Sequence, residues 1–248
     1  MTRSEPDCRI HVNGETLVLD ASGAVWWPAE KTLVVADLHF EKGSSFARRG
    51  QFLPPYDTRT TLKRLNALIT RFRAERVIAL GDSFHDGDAG ARLGTDDVAA
   101  LAALTGAVAW VWIEGNHDPK PPAWLGGTIT AEAAIGGLVF RHVPVGSLGE
   151  VAGHLHPAAR ITRGGMSTRK RCFVSDGMRL LLPAFGAYTG GLDVRENAIA
   201  SLFADGFAVY ALGRDRVYAV AGTAQCRDRK KNVEAQPNAT AIKTVNKP

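Results

Sequence analysis

The sequence predicts an α/β layered fold, and three observations carry the prediction. Short apolar, β-branched runs alternate with helical stretches in the first half. Each of those runs ends in a polar cluster, as strands of open α/β sheets do where they deliver a site. The second half is then dominated by strand-like segments.

The elements follow in order. Residues 11–20 alternate apolar and polar side chains around Asn13-Gly14, which predicts a hairpin. Thr32–Ala36 reads as a buried strand ending at Asp37, and Arg76–Leu80 as a second ending at Gly81-Asp82. Residues 107–113 read as a third, ending before Gly115-Asn116. Between the first two strands, Leu62, Leu65, Leu68, Ile69 and Phe72 share one helical face, with Pro54-Pro55 before it and Asp57 as the expected cap. Between the second and third lies another helix, with Thr95 as the expected cap, Asp96 and Asp97 in its first turn and Gly106 at its end. Further on, residues 138–143, 169–175 and 178–182 read as strands. Asp193-x-x-Glu196 resembles a capping box opening a helix through Ile199, Leu202 and Phe203, closed by Gly206. Residues 207–212 and 216–220 read as a closing hairpin. Trp26 and Trp27 are assigned to strand and core rather than to base stacking. With no internal repeat and no linker before residue 222, one domain is expected over residues 1–222.

Bulk properties exclude several classes. At 248 residues and 45% apolar content the chain can bury a substantial core. No stretch approaches the roughly 18 apolar residues of a membrane span, and residues 1–7 are too polar for a signal peptide. Cys8, Cys172 and Cys226 are scattered and form no CxxC pair, so a reducing, cytoplasmic location is expected. The pI of 9.3 invites a nucleic-acid reading. However, residues 223–248 hold six basic residues against two acidic ones, which is most of the net +5. That unpatterned polar tail is expected to be disordered, its charge solvated rather than committed to DNA.

Six of the seven histidines lie in five clusters of metal-ligand residues. They are Asp37-Leu38-His39, Gly81-Asp82-Ser83-Phe84-His85-Asp86, Gly115-Asn116-His117-Asp118, His142, and Gly153-His154-Leu155-His156. Histidine is the commonest metal ligand among side chains. Two divalent ions about 3.5–4 Å apart need a bridging group, which a carboxylate supplies, and flanking neutral donors, which imidazole and carboxamide supply. The mixture suits a catalytic dinuclear site better than a structural one.

The order of these clusters resembles the calcineurin-like metallophosphoesterase superfamily, recognised by D-x-H, G-D, G-N-H-[DE], a lone H and G-H-x-H. Gly-Asn-His-Asp alone would arise by chance in roughly one in a thousand chains of this length. The resemblance implies a four-layer αββα sandwich, two mixed sheets flanked by helices. It implies that Asp37, His39, Asp82 and His156 hold one metal and that Asp82, Asn116, His142 and His154 hold the second. His117, oriented by Asp118, would face the substrate phosphate, with a metal-activated water as nucleophile. Gly-Asp-x-Phe-His is similar to the second motif of the superfamily's nuclease branch, where this histidine, here His85, assists the catalytic one. The alternative is a loop histidine near the site by adjacency alone. Mixed N/O ligands admit Mn, Fe or Zn, and the resemblance favours Mn²⁺.

A closer resemblance covers most of residues 23–195. Trp26-Trp27-Pro28, the run from Asp37 to Ser45, Leu53-Pro54-Pro55-Tyr56-Asp57, Gly153-His154-Leu155-His156-Pro157 and the run from Pro183 to Gly191 look like the bacterial DNA ligase-associated metallophosphoesterases. That implies a DNA-repair endonuclease or phosphodiesterase acting on single-stranded DNA or DNA ends, associated with a ligase, a helicase and an exonuclease. Arg160 and Arg163 open a basic stretch after the fifth motif, and Arg48 and Arg49 follow the first; all four are candidate phosphate contacts, the alternative being a solvated face. Ser44 and Ser45 would cap a turn or contact phosphate. Two other functions compete: the same chemistry on a small substrate such as a cyclic nucleotide or phosphomonoester, and a non-catalytic interaction module.

Overall fold

The computed structural model of the protein describes residues 8–118, 121–163 and 165–220; the tail expected over 223–248 lies outside the described residues. Two mixed sheets form its centre. The first runs in chain order through β1 (Cys8–Val12), β2 (Glu15–Leu19), β3 (Val25–Trp27), β4 (Thr32–Ala36), β5 (Arg76–Leu80), β6 (Ala109–Ile113) and β7 (Thr128–Thr130). Its strands are antiparallel from β1 to β4 and parallel from β4 to β7. The turn between β1 and β2 has φ of 47° at Asn13 and 88° at Gly14, the paired positive values a two-residue hairpin needs.

The second sheet contains β8 (Glu132–Ile135), β9 (Leu138–Arg141), β10 (Glu150–Ala152), β11 (Ala158–Arg163), β12 (Met166–Ser175), β13 (Leu180–Leu181), β14 (Ala208–Leu212) and β15 (Val217–Val220). Its order is β15-β14-β12-β13-β10-β9-β8, with β11 paired to β12 off this path. The helices are α1 (Lys42–Arg48), α2 (Asp57–Phe72), α3 (Ala89–Arg92), α4 (Thr95–Ala107) and α5 (Asn197–Ala200).

Strand alternation explains the layering. In β4, Leu33 and Val35 face the helices while Val34 and Ala36 face the other sheet. In β5, Val77 and Ala79 divide from Ile78 and Leu80 in the same way. One core lies between helices and first sheet, and a second between the sheets, where Phe140, Val151, Phe173 and Leu182 meet β4 and β5. A third core covers the outer face of the second sheet with Val194, Ile199, Phe203 and Phe207. This is the four-layer arrangement, but the outermost layer is thin: its helix, α5, has four residues. Helix α2 buries Leu62, Leu65 and Leu68 as its spacing predicts, worth about 1.5–3 kcal/mol each. Trp27 is fully buried and Trp26 stacks on Phe72 at 5.1 Å, so both belong to strand and core.

The helix ends differ from expectation. Asp57 is the first residue of α2, not its cap; its carboxylate instead accepts the Gly43 N–H at 2.9 Å and ties α1 to α2. The N-cap of α4 is Gly94 rather than Thr95, and the helix continues through Gly106 to Ala107. Strand β6 therefore starts two residues later than predicted. Only half of the predicted capping box forms: Glu196 Oε1 accepts the Asp193 N–H at 2.9 Å, while Glu196 is itself the N-cap of the short α5. Ser44 and Ser45 lie inside α1, and Ser44 Oγ donates to the Glu41 carbonyl at 3.0 Å.

Candidate metal centre

Every predicted ligand lies on a segment leaving the C-terminal end of a strand. Asp37 and His39 follow β4, Asp82 follows β5 and Asn116 follows β6, all in the first sheet. His142 follows β9, and His154 and His156 follow β10, in the second. The cluster therefore straddles the seam between the sheets.

These turns are tight. Asp37, His39, Asp82, His154 and His156 have positive φ, between 45° and 68°. For residues other than glycine that conformation costs of order 1 kcal/mol or more and persists only where the surroundings impose it. Here they do. The turns after β4 and β5 are stitched together by His39 N–H to the Asp82 carbonyl (2.9 Å), Phe40 N–H to the Ser83 carbonyl (2.8 Å) and His85 N–H to the Phe40 carbonyl (3.0 Å). The Asp37 carboxylate accepts the His154 N–H at 3.0 Å, and Asp82 Oδ1 accepts the His117 N–H at 2.9 Å. Two motif glycines make room for the ligands. A Cβ on Gly81 would lie 2.5 Å from the His142 ring; one on Gly115 would lie 2.1 Å from the Asp82 nitrogen and 2.3 Å from its carboxylate.

The donor atoms converge in two groups, Asp37 with His39 and His156, and Asp82 with His142 and His154, the atoms of each within 4.8 Å of one another. In the first, His156 Nε2 lies 3.2 Å from Asp37 Oδ1 and 3.4 Å from His39 Nε2. In the second, His142 Nε2 lies 3.3 Å from Asp82 Oδ1, 3.2 Å from His154 Nδ1 and 2.8 Å from Asn116 Oδ1. His142 Nδ1 faces the Leu80 carbonyl at 2.9 Å, so it carries the proton and leaves Nε2 for the cluster. The lone histidine therefore lies with the second donor group.

The electrostatics favour cations here. Asp37 and Asp82 are both buried, with no Lys or Arg ion-paired to either among the described residues. Burial opposes ionisation of Asp82, but the hydrogen bond and charge of His142, the His117 N–H and nearby His39 outweigh it and hold its pKa at about 2. Burial, then the charges of His156 and Lys42, push His39 down to about 2, and burial lowers His154 as well. Burial also opposes the charge on His142, but the Asp82 hydrogen bond prevails and raises its pKa. Two buried carboxylates amid converging imidazole nitrogens and a carboxamide oxygen fit divalent ions chemically.

His117 stands at the edge of the cluster. Its Nε2 is 3.8 Å from Asp82 Oδ2, and its Nδ1 is 3.0 Å from the His85 carbonyl, which fixes the proton on Nδ1 in the neutral ring. Asp118 does not orient it. Its Oδ2 accepts the Phe84 N–H at 3.0 Å, Oδ1 has no partner, and burial raises its pKa to about 7. The His85 ring stacks on His117 with centroids 5.7 Å apart and is 5.5 Å from His39. Burial, then Lys42 and His117, lower His85 to about 4.

A family model described as calcineurin-like phosphoesterase matches residues 30–179. The chain belongs to the calcineurin-like phosphoesterase family. It is a metal-dependent phosphoesterase, and its two donor groups fit a dinuclear centre. Among solved structures it is similar to a nuclease of Pseudomonas putida, MPE, at 29% identity and a TM-score of 0.67, over 86% of this chain and 100% of that one. A phosphoesterase from E. coli, Yfce, matches at 18% identity and a TM-score of 0.40, over 77% of this chain and 98% of that one. No curated protein sequence matches.

The phosphoesterase site does not gather all the basic residues named from sequence. Arg48 and Arg49 are exposed at the end of α1, and Arg48 pairs with Asp88 at 3.4 Å. Arg160 is exposed on β11; the side chain of Arg163 lies outside the described residues. Lys42, noted in the sequence only as part of a longer motif, is half-buried and close enough to Asp37 and Asp82 for their charges to act on it, although burial lowers its pKa overall. Its position five residues after Asp37 was the available signal. Glu150 also escaped notice: buried, it accepts the Val145 and Gly146 N–H groups at 2.9 Å each and shapes the loop after His142.

Proposed function

We propose that this phosphoesterase hydrolyses phosphodiester bonds in nucleic acid at a dinuclear centre, with DNA as its physiological substrate. Asp37, His39, Asp82 and His156 would hold one ion, and Asp82, Asn116, His142 and His154 the other, with Asp82 shared. The observation that carries this reading is the pair of donor groups side by side, with His117 beside the Asp82 carboxylate. Bound there, two divalent cations would make hydroxide available near neutral pH and polarise the phosphoryl group.

The chain's own residues supply the rest. The His85 carbonyl holds Nδ1–H of His117 and so aims Nε2 at the centre, where the protonated ring can donate to the leaving oxygen. Asp118 acts beneath it as a positioning residue, holding the turn at Phe84. His85 packs against the His117 ring and limits its rotation. Mn²⁺ is the ion the family resemblance favours, and the N/O donor set also accepts Fe or Zn. DNA is supported by the likeness to the P. putida nuclease and by His85 beside His117. Repair in the cytoplasm alongside a ligase, a helicase and an exonuclease is the setting implied by the closer resemblance in sequence.

The test is a substrate panel with added Mn²⁺: bis-esters, mono-esters, cyclic nucleotides and DNA. Hydrolysis of bis-esters and DNA is expected. Turnover of only cyclic nucleotides or mono-esters would exclude DNA. In the same assay His117→Ala should keep both metals and lose about 10²–10⁴-fold in turnover. Metal content falling in step with turnover would instead make His117 a ligand.

A further inference from the structure

Two of the sequence motifs, Leu53-Pro54-Pro55-Tyr56-Asp57 and the run from Pro183 to Gly191, contribute no metal donor. The fold nevertheless brings both to the rim of the centre. The second runs beside both ligand-bearing turns of the first donor group: Gly186 N–H donates to the Asp37 carbonyl at 3.1 Å, and Leu192 N–H donates to the Leu155 carbonyl at 3.3 Å. Between these anchors, Tyr188 Oη donates to the Pro54 carbonyl at 2.9 Å and joins the two motifs. The junction is also held through α1, since Asp57 accepts the Gly43 N–H.

This rim presents aromatic rings to solvent. Phe52 is 86% exposed, Tyr56 64% and Tyr188 41%. Rings kept outward beside a site are expensive as surface and useful as stacking platforms, because every nucleobase offers a π-face.

The other end of the same loop meets positive charge. Among the described strands β11 pairs with β12 alone, apart from one bridge of Ala158 to Asp193 at its base, so Met166–Arg171 of β12 and β11 form a two-stranded ribbon beyond the body of the sheet. Arg160 lies directly opposite Arg169 on one face of it, and both are exposed. Like charges in that relation destabilise a ribbon; Asp193 lies close enough for the Arg160 charge to act on it, but Arg195 already engages both of its oxygens at 2.9 Å, so the arginine pair is open to an external anion. The Arg169 guanidinium donates to the Gly191 carbonyl, in the loop that carries Tyr188, and Gly191 packs against the His156 carbonyl.

We infer that Phe52, Tyr56 and Tyr188 stack the bases of a single nucleic-acid strand while Arg160 and Arg169 hold its phosphates, so that the strand is led across the metal centre unpaired. The inference rests on the nucleic-acid reading of the site. Stacking needs splayed bases, which a duplex does not offer.

The test compares, in the full chain with Mn²⁺, kcat/KM on oligothymidylate with kcat/KM on a bis-ester, and repeats it with an abasic strand of equal length and with a duplex. The wild-type chain should prefer the thymidylate strand to both others. Phe52→Ala combined with Tyr56→Ala should lower the strand-to-bis-ester ratio by about tenfold or more. Arg160→Ala and Arg169→Ala should each reduce the salt dependence of strand binding by about one in log–log slope. Tyr188→Phe, which keeps the ring and loses the Pro54 bond, should retain more of the ratio than Tyr188→Ala. Equal rates on abasic and thymidylate strands, or on duplex and single strand, would overturn the inference and leave the nuclease reading intact. Bis-ester turnover with no cleavage of any nucleic acid would remove that reading too. Concentration-dependent dimers abolished by the aromatic substitutions, with strand preference unchanged, would assign the rings to contact between copies and also overturn it.

Discussion

Gly115 has no space for a methyl group, since a Cβ there would overlap both the backbone nitrogen and the carboxylate of Asp82. Gly115→Ala should therefore displace the Asp82 carboxylate, cost about 1–3 kcal/mol by overpacking, and weaken metal retention. Thermal unfolding and metal content, measured together, check this; a variant with full metal and unchanged stability would contradict the packing. The donors that converge in the two groups were legible in the sequence, because motif and spacing fix which donors exist. The orientation of His117 was not legible. Asp118 follows it in sequence and was its expected partner, yet strand-end geometry sends the Asp118 carboxylate to Phe84 and gives the His85 carbonyl to His117.

At the scale of elements, one arginine joins three segments around the site. Arg92, at the end of α3, donates from Nη1 and Nη2 to the two Asp86 oxygens at 2.8 and 2.9 Å and from Nε to Ser44 Oγ at 2.9 Å on α1. Burial works against the Asp86 charge, but Arg92 and Ser45 hold its pKa down to about 2. Because the folded pKa is depressed, this pair stabilises above the ordinary Asp value near 3.9 and the gain fades as pH falls towards about 2. Asp86→Asn should cost about 1–2 kcal/mol at neutral pH, discounted for partial exposure, and close to nothing at pH 2. Denaturant unfolding of both proteins across pH tests it, and a pH-independent difference would refute it. Strands β4 and β5 and the face of α2 were readable because periodicity and burial coincide there. Helix caps were not: Thr95 and Asp57 are good capping residues, but Asp57 is used across to Gly43, and Gly94 already occupies the cap of α4. Short strands such as β10, with three residues, are too brief for any period to register.

For the whole molecule, the seam between sheets governs behaviour. Each donor group takes residues from both: Asp37 and His39 with His156, and Asp82 with His142 and His154. Metal held by these residues would link the sheets and would stabilise the folded state by mass action, by about 2.7 kcal/mol at a hundredfold excess over Kd. Adding Mn²⁺ to chelator-treated protein should therefore raise Tm, and Asp82→Asn should abolish most of the increase. Equal increases in both would place the stabilising metal elsewhere. The sheets' composition was legible only in part. The first half announced its alternation of strand and helix, whereas the thin outer layer around α5 depends on Phe203 and Phe207 folding back in a long-range contact that no local pattern encodes. The seam also sets when activity can begin. A growing chain that has emerged only through β8 carries Asp37, His39, Asp82, Asn116 and His117 but neither completed donor group. An unfinished or truncated polypeptide thus lacks both donor groups, and a metal-dependent hydrolase of this build is assembled only once its synthesis has passed His156 and its two halves have closed.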